Sequence, residues 1–68
     1  MTSDELFYLE DVLKSHWHEM TAVEHAAWGL GGREAFIQAN VAVFKVQRAA
    51  TGRDVRDLIG TVTIVTAP

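Results

Sequence analysis

The residues that could do chemistry in this chain are three histidines and a scatter of carboxylates. Asp4, Asp11, His18 and His25 recur every seven residues, so on a helix they share one face. Residues seven apart stand ~10 Å apart along a helix axis, whereas the ligands of one zinc ion converge with bonds of ~2 Å. The row cannot chelate an ion within one chain, and a solvated face is its simplest role. His18-Glu19 and Glu24-His25 also lack the i, i+4 histidine pair of metalloprotease helices. The chain has no cysteine, which removes thiol nucleophiles, thiolate zinc sites and disulfides together. There is no glycine-rich phosphate loop and no Gly-x-Ser-x-Gly elbow; Ser3 and Ser15, the only serines, suit caps or surface. A chain of 68 residues also has difficulty enclosing a ligand pocket of ~300 Å³ alone. The sequence therefore points away from catalysis, with no catalytic, cofactor-binding or metal-binding residues expected.

His16 differs from the other two histidines because of the element that holds it. Leu6, Leu9, Leu13, His16, Met20, Val23, Ala27 and Leu30 step by 3, 4, 3, 4, 3, 4, 3, a heptad seam of the coiled-coil type. A polar residue in such a seam can fix register and partner number, and here its simplest account is a neutral imidazole bonded to a neighbouring carbonyl or carboxylate, such as Glu19 or Glu24 of a second copy. His16 is expected to be buried or interfacial, His18 and His25 exposed. Trp17 and Trp28 flank the seam three turns apart, as helix contacts or partner-binding residues.

The seam predicts one continuous helix over residues 4–30, preceded by the cap residues Thr2, Ser3 and Asp4. Thr21-Ala-Val-Glu24 competes with this, reading as a capping box that would divide the stretch into 4–19 and 22–30. The seam crosses Met20–Thr21 in register, which favours continuity. Gly29, Gly31 and Gly32 end the region. A second helix is expected over 33–50 from Phe36, Ala39, Val43, Val46 and Ala50, with Ile37, Val41 and Phe44 widening the apolar face. The strand formers Val41, Val43, Phe44 and Val46 compete, but the alanine content favours helix. Asp54 to Ile59 reads as a short helical turn stopped by Gly60. Thr61-Val-Thr-Ile-Val-Thr66 alternates as a strand does. Alone in the chain, it would be disordered, pair with its own copy or join a partner's sheet.

The expected architecture is mainly α: a helical hairpin over residues 1–60 and a strand or extended tail over 61–68, two copies forming a helical-bundle dimer. The apolar share, 49% of a 68-residue chain, favours oligomerisation over a lone core. The seam is the expected oligomer interface, with Trp17, Trp28, Val62 and Ile64 left for a partner. Its longest charge-free runs are too short to span a bilayer and its N-terminus has no basic region of a signal peptide, so a soluble, cytoplasmic protein is expected. The acids concentrate in residues 1–34, while Lys45, Arg48, Arg53 and Arg56 follow; the two halves can attract each other or simply face water.

The expected function is a non-enzymatic protein–protein interaction module: an adaptor, an inhibitor, or a structural subunit of an assembly such as a virion. The alternative is a small helix-turn-helix DNA-binding protein. Ala27, the turn glycine Gly31 and Ile37 sit at the offsets of that motif, and Arg33, Gln38, Lys45 and Arg48 could meet DNA. Gly32, Arg33 and Asn40 depart from its pattern, and a net charge of −3 opposes phosphate binding.

Overall fold

The computed structural model describes residues 1–68, as four helices: α1 (Ser3–Glu19), α2 (Ala22–Ala27), α3 (Gly32–Thr51) and α4 (Val55–Leu58). α1 begins with a capping box in which the Thr2 side chain accepts from the Glu5 N–H and the Glu5 carboxylate accepts from the Thr2 N–H. α1 and α3 run in opposite senses, since Glu5 near the start of α1 meets Arg48 near the end of α3, and Trp17 near the end of α1 meets Phe36 near the start of α3.

The expected continuous helix over 4–30 is two helices. Met20 ends α1 in a β-region conformation (φ −69°, ψ 155°), and Thr21 caps α2. At the break the Thr21 Oγ1 accepts from the Glu24 N–H and the Glu24 carboxylate accepts from the Thr21 N–H, so the helix bonds lost there are replaced locally. The kink lets Met20 turn into the core. It also swings the rest of the seam away, leaving Val23, Ala27 and Leu30 exposed. A seam in perfect register was outweighed by a cap that satisfies both ends of a broken helix.

One core closes the fold: Leu9, Leu13 and Met20 against Phe36, Ile37, Val41 and Phe44 of α3, with Val55 and Leu58 of α4. Fully burying such aliphatic or aromatic side chains stabilises by roughly 1.5–3 kcal/mol each before the entropy of ordering them. Residues 33–50 are helical as expected, inside the longer α3, and α4 falls within the expected short turn. At the α2–α3 corner Gly32 is buried because it must be small: a Cβ there would stand 2.8 Å from the Trp28 Cβ and 3.2 Å from the Trp17 Cη2.

The C-terminal strand expected over 61–66 is not a strand. Beyond an isolated bridge between Ile59 and Val62, the segment has no ladder. It folds back on the helices, with Val62 and Ile64 half-buried against the core. Over residues 61–64 the alternation marks which side chains turn inward, whereas Val65 and Thr66 are both half-buried; strand pairing needs a neighbour, and helices supply none.

Candidate functional site

Two polar constructions are built into opposite ends of the α1–α3 pair. At the first, Glu5 is 1% exposed and its carboxylate accepts four hydrogen bonds. Arg48 Nε donates at 2.6 Å and its Nη2 at 2.9 Å, the Thr2 N–H at 3.1 Å, and the Val55 N–H at 3.2 Å. The Arg48 guanidinium first, then the backbone N–H groups of Thr2 and Val55, hold the Glu5 carboxyl well below the usual carboxylate range against the opposing effect of burial. Glu5 raises the pKa of Arg48 in return. One carboxylate thus ties the start of α1 to the end of α3 and the start of α4, which explains why a charge tolerates this burial. Beside it a cleft of about 410 Å³ is lined by Met1, Leu6, Lys45, Arg48 and Ala49.

At the other end aromatic rings surround Phe36. Its ring centroid lies 5.4 Å from Trp17, 5.7 Å from Trp28 in an edge-on arrangement, and 6.1 Å from the stacked His16 imidazole. His25 stacks on Trp17 at 4.2 Å, and its Nε2 is 2.6 Å from the Trp17 carbonyl. A carbonyl only accepts, so Nε2 carries the proton. His25 is therefore half-buried, where the sequence led to an exposed residue; the kink at Met20 folds α2 back and brings it over α1. His16 is half-buried against an aromatic ring of its own chain, and His18 is exposed.

Between this aromatic group and the C-terminal tail stands Asn40, fully buried. Its Nδ2 donates to the Phe36 carbonyl at 3.0 Å and to the Val65 carbonyl at 3.0 Å, while its Oδ1 accepts from the Val65 N–H at 2.8 Å. Trp28 Nε1 donates to the Thr66 carbonyl at 3.0 Å. Three of the tail's backbone groups, the N–H and carbonyl of Val65 and the carbonyl of Thr66, are met by side chains.

The sequence-chosen residues are thus redistributed. Leu9, Leu13 and Met20 of the seam lie inside the chain's own core, Leu6 and His16 are half-buried, and Val23, Ala27 and Leu30 face solvent. Trp17, Trp28, Val62 and Ile64, chosen for a partner, are half-buried and packed on this chain's core. Sequence reasoning missed Asn40, Glu5 and Arg48 as organising residues. The available signal for Asn40 was a single polar side chain set among Phe36, Ile37, Val41 and Phe44 on one helical face. For Glu5 it was a position one turn before Leu9, on the buried stripe of α1.

Comparison with known protein families, with curated proteins and with solved structures finds no match. What can be said of function comes from this geometry. No helix is long and apolar enough to cross a membrane.

Proposed function

We propose that this chain is a small, non-enzymatic protein–protein interaction module, acting as an adaptor, an inhibitor or a structural subunit, and pairing through the outward face of α3. The observation that supports it is apolar surface left over after the core has closed. No buried side-chain nitrogen or oxygen lacks a partner, so the fold is internally satisfied. Yet Val46 is 66% exposed and Phe7 68%. On the side of α3 away from Phe36 and Phe44, Ala35, Ala39, Ala42, Val46 and Ala49 repeat by 4, 3, 4, 3. A shallow hollow of about 280 Å³ lies there among Ala42, Val43, Val46 and Gln47.

Such spacing presents one straight stripe to another helix, and small side chains let two axes approach closely. The occupant we assign is α3 of a second copy, running in the opposite sense, because a chain this short gains most by covering that stripe with itself. The dimer expected from the sequence is kept, and its interface moves from α1, whose seam is engaged in the core, to α3.

The DNA-binding alternative is disfavoured by the same helix. α3 would be its recognition helix, but the outward side is alanine and valine, with Gln38 and Lys45 only at its margin. Sedimentation from low micromolar to near-millimolar concentration tests the proposal: wild type should dimerise, and Val46→Glu should remain a folded monomer. A wild-type chain that stays monomeric throughout, or that shifts duplex DNA in a salt-dependent manner, overturns it.

A further inference from the structure

The cleft that Asn40 and Trp28 make with the aromatic group is built to hold polypeptide backbone. Asn40 takes both the N–H and the carbonyl of Val65, and Trp28 takes the carbonyl of Thr66. One residue offers its N–H and carbonyl to the same neighbour when it is extended, as in the hydrogen-bonded pairs of an antiparallel ladder. Asn40 therefore does for the tail what an adjacent strand would do. None of these bonds reads a tail side chain; selectivity is left to Val62 and Ile64, which pack on the core. From residue 63 to 68 the tail makes no main-chain to main-chain hydrogen bond. It behaves as a guest on the helical body, at the end of the stability range where local opening needs no ladder to break.

We propose that this cleft is a receptor for an extended C-terminal segment, and that residues 61–68 of a second copy occupy it in trans, so that two chains exchange tails. The exchanged tail meets the same groups as the resident one, which makes exchange the least costly route to a shared site. The connection can turn at Gly60, whose φ of +93° lies in a region that suits glycine. Opening there releases the two hydrogen bonds that the Leu58 carbonyl accepts from the N–H groups of Thr61 and Val62, since both span Gly60. In the closed monomer the tail is present at an effective concentration on the order of millimolar, so exchange grows with protein concentration. This inference is independent of the α3 pairing proposed above.

Two full-length variants test it. Asn40→Leu removes the receptor and keeps the tail; Val65→Pro keeps the receptor and removes the tail N–H. Mixed in equal amounts, they should form a heterodimer of twice the 7.5 kDa chain mass that neither forms alone. Pairing through α3 would instead appear in each variant by itself. A mixture that sediments as the sum of its parts overturns the proposal. So does binding of a free peptide of residues 61–68 by Val65→Pro without heterodimer formation, which would assign the cleft to peptides of other proteins. If either variant fails to fold, wild type decides at a concentration of about 1 mM, where exchange competes with closure. An isotope-filtered NOE between the Asn40 side chain of a labelled chain and Val65 of an unlabelled one is the expected result, and its absence is the overturning one.

Discussion

The two ends of the α1–α3 pair solve the same problem with opposite chemistry. Both must fix a segment that follows α3 against the helices, and both do so with one fully buried polar side chain accepting a backbone N–H. At one end Glu5 is ionised, balanced by Arg48, and holds the first residue of α4 through the Val55 N–H. At the other Asn40 is neutral and holds the tail through Val65. A buried carboxylate depends on its counter-ion and on pH, whereas an amide does not titrate and carries its own donor and acceptor. The charged end suits a permanent joint, and the amide end suits a joint to backbone whose owner can change.

The largest expected loss comes from the residue on which the amide end is assembled. Phe36 is fully buried and touches Trp17, Trp28 and His16, and its main-chain carbonyl accepts from Asn40. Phe36→Ala should cost about 3–5 kcal/mol and release the tail, seen by chemical denaturation and by exposure of Trp28 in fluorescence. If the Val65 amide, which donates to Asn40, stays protected in hydrogen exchange in that variant, the amide end does not depend on the rings.

The next effect separates the two ends by pH. The folded-state pKa of Glu5 is depressed from the ordinary 4.5. Above 4.5 the carboxyl is ionised in both folded and unfolded chains, and its stabilisation is fully present. As pH falls below 4.5 the unfolded chain takes up the proton first, so the stabilisation drains away toward the lower folded-state pKa. The carboxyls of Glu24, lowered by its Thr21 hydrogen bonds, and of Asp54, lowered chiefly by Arg56, add to the same acid limb. Glu5→Gln sets an amide opposite the Arg48 donors and should lower Tm at pH 7 by on the order of 10 °C. The gap to wild type should narrow steadily below pH 4.5. A gap constant from pH 7 to pH 3 would show that the charge at this end contributes nothing.

A smaller effect bears on what the sequence could reveal. Thr21→Ala removes the cap of α2 and should cost about 1 kcal/mol, with no effect on either polar end if the kink is held by packing of Met20 and Gly32. The capping box and the seam were both visible in the sequence and disagreed. Periodicity records which faces are apolar, and a kink preserves that record for the first half of the seam while redirecting the second. α3 and α4 were legible because their faces and stops agree with one another. The tail was legible over residues 61–64 in which residues turn inward, and not in its partners. Those partners are single side chains 25 and 38 residues away, a separation at which local pattern carries no information. Glu5 and Asn40 were present as polar interruptions of apolar faces, and the sequence alone does not say which interruption finds a partner across the fold.

The smallest effect falls on one of a pair of histidines that the sequence placed on one face. His18 is exposed, while His25 stacks on Trp17 and donates to its carbonyl. His18→Ala should change stability by no more than about 0.5 kcal/mol, the range of an ordinary surface site. His25→Ala loses a stacked ring and a hydrogen bond beside the break in the helix and should cost roughly 1–2 kcal/mol. His25→Phe keeps the ring and removes the donor, so it should recover part of that loss and leave the Trp17 carbonyl with the Met20 N–H as its donor. Urea denaturation of the three variants at pH 7 orders them. Equal stability for His18→Ala and His25→Ala would mean that α2 does not fold back over α1, and the aromatic end would then lose the lid that keeps Trp17 against Phe36.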